Sequence, residues 1–227
     1  MLTNLRNRIL VLLGCLMLLF GIFPVVADAA EAYGGVCGDN LQWHFSTSGK
    51  LTIIGSGAMY DYVDDDVPWL HFVGQITSLE LPEGLTTIGC RAFAFTAISD
   101  VRVPDSVTSI GNGAFSNCYG LTSVIIPNSV TSIGDVAFRD CTGLTSVIIG
   151  NGVTRIGDRT FSNCTGLSSV FIGNSVTTIG GYAFYDCTSL TSVTISDSIT
   201  SVGVDAFYNC PVEKLIIADG AKTIVSA

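Results

Sequence analysis

The sequence predicts an α/β, strongly β-rich solenoid, with a parallel β-sheet on one face, short helical or 3-10 turns on the other, and an N-terminal β-hairpin cap. Three observations predict it. Cys118, Cys141, Cys164, Cys187 and Cys210 recur every 23 residues, and Phe115, Phe138, Phe161, Phe184 and Phe207 keep the same interval three residues ahead of them. A fixed period of this length is the mark of stacked supersecondary units. Each unit also opens on alternating apolar and small polar residues, which suits a strand with one buried face. Finally, the 227 residues are 48% hydrophobic and 13% charged. That is enough apolar side chain to offset the ordering entropy of a packed core, and it excludes a disordered chain.

The units align as Ile76 to Ala97, Ile98 to Gly120, Leu121 to Gly143, Leu144 to Gly166, Leu167 to Ser189 and Leu190 to Pro211, with a partial seventh ending at Ala227. Within one unit, Leu121, Val124 and Ile126 supply the buried side of the strand. Pro104, Pro127, Gly150 or Gly173 then breaks it, and the Asn or Asp that follows favours a bend. A second apolar pair, such as Val130 and Ile133, is closed by a glycine in every full unit. The remaining A-F-x-x-C stretch is too short for a helix of its own, so a helical or 3-10 turn that drops Phe and Cys inward is expected. A single unit cannot bury its own apolar face, and stacking on neighbours supplies the missing partner. The hydroxyls beside the second pair, Thr108, Thr131 and Thr177 among them, suit a second exposed ladder.

Ahead of the repeats, Arg6 and Arg8 precede an apolar run from Ile9 to Phe23, followed by Pro24 and the small residues Ala27 and Ala29. This pattern predicts a secretory signal peptide over residues 1–29, cleaved after Ala29, in preference to a retained anchor, because the run is shorter than a membrane span needs. Lipidation at Cys15 is not expected, since apolar sequence continues past it. No stable membrane span is expected after cleavage. Residues 30–75 are read as the cap and 76–227 as the solenoid. In the cap, Leu41, Trp43 and Phe45 alternate, Ser46 to Gly49 can turn, and Leu51, Ile53 and Ile54 return as a hairpin whose Trp43, Trp69 and Phe72 would cover the first repeat.

The net charge of -9, with ten Lys plus Arg against nineteen Asp plus Glu, excludes a broad phosphate-binding surface, and nucleic acid is not an expected partner. Asp61, Asp64, Asp65 and Asp66 crowd one loop but lack the spacing of a calcium hand, so a solvated loop is expected and no metal. His44 and His71 are the only histidines, and His44 should face outward. A Cys/His hydrolase would need a thiol brought to one of them. No phosphate loop or metal-spaced cluster is visible, so neither cofactor nor catalysis is expected.

Seven cysteines remain after signal removal. The five in the column should be buried thiols serving as small hydrophobes. Cys37 and Cys90 lie outside it, and a bridge between them would clamp the cap to the first coil.

The stretch L-T-S-V-I-I-P-N-S-V-T-S-I-G-D-V-A-F-R-D-C-T-G from Leu121 to Gly143 resembles the BspA-like leucine-rich repeat of bacterial surface proteins, and the likeness extends over Ile76 to Pro211. Cys37 to Trp43, Ser48 to Asp61 and Pro68-Trp69 are similar to the region preceding those repeats. The resemblance implies a leucine-rich-repeat solenoid, secreted or held at the bacterial surface, that binds protein. Adhesion to host matrix proteins such as fibronectin and fibrinogen, and cell-cell aggregation, are what the family is associated with.

If the first, fourth and sixth residues of each unit face the core, the fifth faces solvent. That position reads Glu80, Arg102, Ile125, Ile148, Phe171, Thr194 and Ile216. An apolar stripe on an exposed face marks an interaction site for a protein or glycan ligand. The competing reading is that these are strand-forming side chains copied by duplication. Arg155 and Arg159, which interrupt the pattern in one coil, are assigned to the solvated surface. A further alternative is a truncated structural array that self-associates through an open C-terminal end.

Overall fold

Each L-x-x-V-x-I opening is a strand in the computed structural model, which describes residues 33–63, 66–195, 197–212 and 214–217, the last four by backbone alone. The segment read as a signal peptide, Cys15, Asp64, Asp65 and the end of the seventh unit lie outside the described residues. Strands β1 (Tyr33–Gly38), β2 (Leu41–Phe45) and β3 (Lys50–Ala58) form an antiparallel meander. Leu41, Trp43 and Phe45 are buried while Gln42 and His44 point out, as the alternation requires. The turn between β2 and β3 is held by Ser46 N–H on the Lys50 carbonyl at 2.9 Å. Strand β1 was not legible in the sequence, because Gly34 and Gly35 weaken a strand pattern. They are required by close approach: a Cβ on Gly35 would stand 2.9 Å from the Trp43 indole nitrogen.

Strand β3 converts this antiparallel start into parallel stacking. Its first half pairs in parallel with β4 (Ser78–Glu80) and its second half with β5 (Gly84–Ile88). A 3-10 helix, Leu70–Gln75, leads into β4. From there two parallel sheets grow side by side. One contains β6 (Val101–Arg102), β8 (Ser123–Ile126), β10 (Ser146–Ile149), β12 (Ser169–Ile172), β14 (Ser192–Ile195) and β16 (Lys214–Ile217), in that order. The other continues from β5 through β7 (Ser109–Ile110), β9 (Ser132–Ile133), β11 (Arg155–Ile156), β13 (Thr178–Ile179) and β15 (Ser201–Val202). Along this second sheet, Thr131 Oγ1 donates to the Thr108 carbonyl at 3.2 Å and Thr177 Oγ1 to the Thr154 carbonyl at 3.2 Å, which is the expected hydroxyl ladder.

The A-F-x-x-C segments form the third side. They keep the i→i+3 bonds of a 3-10 helix but not its dihedrals. Alternate amides turn inward on their own coil, as Ala94 N–H does on Arg91, while the residues between them donate to the next coil. Thus Phe93 N–H reaches the Ala114 carbonyl, Phe115 that of Ala137 and Phe138 that of Thr160, at 2.8, 2.8 and 2.9 Å. Two residues of each turn lie in the left-handed region, for instance Val136 and Asp140 at φ of 52° and 60°. The left-handed residues stop a helix from propagating and aim the intervening amides along the solenoid axis.

The core is one file per repeat position. Phe93, Phe115, Phe138, Phe161, Phe184 and Phe207 stack at centroid separations of 5.2–5.4 Å. Trp69 extends the file by stacking on Phe93 at 5.7 Å, with its indole N–H on the Ala92 carbonyl at 2.9 Å. Trp43 meets Trp69 edge-on, and Phe72 stacks on Phe45, so these side chains cover the first coil. Beside the aromatic file runs the thiol file. Each thiol donates to the phenylalanine carbonyl of the preceding coil, from Cys118 on Phe93 to Cys187 on Phe161, at 3.1–3.2 Å. In the first coil buried Thr96 takes the cysteine slot.

All seven described cysteines are free thiols, so the Cys37–Cys90 bridge considered from the sequence is not formed. Burial pushes the Cys37 and Cys164 thiols up to about 12.

Three outcomes follow for the fold. Phe138→Ala opens the middle of the aromatic file and should cost about 3–5 kcal/mol in urea unfolding; a loss below about 1 kcal/mol would contradict the packing described. The unreduced, denatured chain should alkylate at both Cys37 and Cys90, whereas a protected pair would show that the bridge exists. Because the two buried thiols ionise near 12 in the fold but at the ordinary 9.0 when exposed, their contribution to stability is complete below pH 9 and is lost as pH rises toward 12. Urea midpoints should decline across that window, and flat midpoints would count against buried neutral thiols.

Candidate functional site

The strand pairing brings the fifth-position residues into one row. Arg102 lies opposite Ile125, Ile125 opposite Ile148, Ile148 opposite Phe171, Phe171 opposite Thr194, and Thr194 opposite Ile216. Neighbouring members are about 4.8 Å apart, the spacing of parallel strands. Ile125, Ile148 and Phe171 are 62%, 45% and 48% exposed, while their strand neighbours Val124, Ile126, Val147, Ile149, Val170 and Ile172 are buried. Thr194 is half-buried. For Ile216 the backbone pairing alone is described. Glu80, exposed on β4, lies on a strand that packs beside β6 but pairs with β3.

A second row runs parallel to it on the same face. Ser123, Ser146, Ser169 and Ser192 stand opposite one another across β8, β10, β12 and β14. The hydroxyls of Thr122, Thr145 and Ser168, one residue earlier, are used up on carbonyls of the preceding coil at 3.0–3.1 Å. Among the described residues, Ser123, Ser146 and Ser169 have no such side-chain partner. The face therefore presents an apolar ridge beside a file of open hydroxyls. Arg102 closes one end, its guanidinium bonded to Glu83, which raises its pKa.

The other sequence-marked residues stand apart from this face. His44 and His71 are both exposed, and neither hydrogen-bonds a cysteine among the described residues. Asp61 accepts the Cys90 backbone N–H at 2.8 Å, and no group of three or more metal-ligating side chains comes together among the described residues. No described helix is long and apolar enough to cross a membrane. Arg155 is held between Asp135 and Asp158 at 3.3 and 3.0 Å, as befits a solvated surface residue.

Arg159 does more than the sequence suggested. It lies over the Tyr182 ring, 4.6 Å from the centroid, on the turn face. There a recess of about 250 Å3, lined by Arg139, Arg159, Ser162, Asn163, Tyr182 and Tyr185, adjoins an open trough of about 830 Å3, and Arg139 lines both. Nothing in the repeat consensus marks this trough. Its signal lies in departures from the consensus, chiefly Phe95.

Comparison with solved structures places the fold among bacterial repeat proteins. A leucine rich repeat protein of T. pallidum superposes with a TM-score of 0.57 at 23% identity, covering 78% of this chain and 89% of that one. A leucine-rich repeat protein of Bacteroides ovatus gives a TM-score of 0.51 at 22% identity over 78% of this chain and 57% of that one. At these identities the likeness speaks for the fold alone. No curated protein matches the chain in sequence. The BspA type leucine rich repeat region, however, matches residues 70–181 and 108–227 in six copies. That match covers more than half of the residues, and this chain belongs to the BspA type leucine rich repeat family.

Proposed function

We propose that the protein is a secreted or surface-associated binding protein of a bacterium, and that it adheres to host matrix protein or to other cells through the strand face. Residues 1–29 serve as its leader in this reading, 30–75 as a cap and 76–227 as the binding solenoid. The observation that carries the proposal is the ridge formed by Ile125, Ile148 and Phe171, three large apolar side chains in register on adjacent strands and 45–62% open to water. The parallel sheet would stand without them, since the buried partners on the opposite face fill the core. A contiguous exposed apolar patch of this kind is where a partner is expected to dock. The adjoining open serines can satisfy hydrogen bonds of a protein strand or glycan laid along the ridge. Family membership supports the class of function, and the apolar leader in the sequence supports export.

The test is a double substitution, Ile148→Ser with Phe171→Ser, in residues 30–227. Binding to immobilised fibronectin, fibrinogen and mucin is measured for both proteins. Attachment should fall at least about fivefold, since covering two such half-exposed groups is worth roughly 1–3 kcal/mol in total, while the melting transition stays within about 3 °C. Undiminished attachment would remove the ridge from the account. Attachment of the unaltered protein to none of the three surfaces would remove matrix adhesion.

A further inference from the structure

We propose that the turn face carries a second binding site, independent of the strand ridge. It is a trough that takes an extended acidic peptide, with an apolar side chain against Phe95 and a carboxylate about four residues further on at Arg159.

The argument starts from the repeat register. The last left-handed residue of each turn is Asn117, Asp140, Asn163, Asp186 or Asn209, with φ between 56° and 60°. Asn and Asp tolerate this region best after glycine. Several also link coils, as Asn163 Nδ2 does with Asp140 Oδ1 and Asn209 Nδ2 with Asp186 Oδ1, both at 2.8 Å. The first turn has Phe95 instead, at φ 64° and 60% exposed. An aromatic ring held in a strained backbone and turned into water does nothing for folding. Val136, β-branched at φ 52°, and Tyr182, aromatic at φ 57°, are further misfits of the turn face. Phe95 and Val136 line the same trough of about 830 Å3, and Tyr182 lines the recess beside it. Strain of this kind persists where function needs the side chain.

Val63, Leu70 and Val73 from the N-terminal segment line the trough together with Phe95. Its floor is Gly113, the one glycine in a slot that holds Arg91, Val136, Arg159, Tyr182 and Asp205 in the other coils. A Cβ there would meet Arg91 Cγ at 3.4 Å and Val136 Cγ2 at 3.8 Å, so a larger side chain would fill the channel without displacing backbone. Charge supplies the polarity of the occupant. The chain as a whole is acidic, yet Arg139 lines both the trough and its adjoining recess and Arg159 lines the recess. Arg139 is shared with Asp140 at 3.0 Å. Arg159 has no carboxylate partner among the described residues, and stacking on Tyr182 leaves its N–H edge open for bidentate contact. Phe95 and Arg159 are three coils apart, roughly 14 Å along the solenoid axis at about 4.8 Å per coil, an axial rise that an extended peptide covers in about four residues.

The experiment uses fluorescein-labelled hexapeptides with Phe or Leu in the first place and either Glu or Lys in the fifth, titrated against residues 30–227. The Glu peptides should bind at least tenfold more tightly than the Lys peptides, and Arg159→Gln should abolish that preference. Gly113→Tyr should block binding and lower the melting temperature by only about 2–4 °C, the cost of a side chain in the left-handed region, because Tyr182 already occupies the equivalent slot. Phe95→Asn, the choice of every later coil for Asn or Asp, should lose binding while its melting temperature rises by about 2–4 °C. The proposal is overturned if Glu and Lys peptides bind alike, or if Gly113→Tyr leaves binding intact. Competition by neutral mucin oligosaccharides would likewise overturn it in favour of a glycan site. Concentration-dependent dimerisation abolished by Gly113→Tyr would assign the trough to a second copy of the chain.

Discussion

The structure depends on a single constraint: no coil can satisfy its own backbone. On each of its three sides, amides and carbonyls that would otherwise be bare point along the solenoid axis and find partners in the adjacent coil. The two sheets do this with ladder bonds, and the turn face does it with alternate amides aimed by left-handed residues. The side chains obey the same rule. The phenylalanine file is continuous from Phe93 to Phe207, and each thiol reaches back to the preceding phenylalanine carbonyl. Unpaired buried polar groups cost about 1–3 kcal/mol each. A coil without a neighbour therefore loses on every side at once, and the stack is stable as a stack.

That dependence explains why an end needs special treatment. Strand β3 bends the problem into a solution by pairing antiparallel with β2 on one edge and parallel with β4 and β5 on the other. Trp69 occupies the place of the missing phenylalanine, and Trp43 and Tyr62 pack edge-on against it. The first coil consequently meets an aromatic surface where water would otherwise stand.

Much of this was legible in the residues because repetition amplifies weak signals. One L-x-x-V-x-I stretch is a poor strand predictor, but five in register fix which side is buried, and hence that Ile125, Ile148 and Phe171 share an exposed row. The outward His44 follows from plain alternation. What escaped the sequence depended on contacts distant along the chain or on dihedrals. Strand β1 is glycine-rich because Trp43 leaves no room beside it, a fact visible only once the meander closes. The turn segment read as a helical or 3-10 turn because its left-handed residues, including Tyr182 and Val136, carry no helix-breaking composition. The hydrogen bond that keeps each column cysteine a thiol also depends on a carbonyl 25 or 26 residues away. In a repeat protein the consensus describes the scaffold, and individuality sits where one coil departs from it, as at Phe95 and Gly113.

The central claim, that coils persist only through their neighbours, is tested most directly by native-state hydrogen exchange read coil by coil. The axial amides of Phe115, Phe138 and Phe161 should open with a common free energy, close to that of global unfolding, because releasing one coil releases the bonds of the next. Separate opening free energies for these three amides, with one coil exchanging freely while those on either side stay protected, would contradict it.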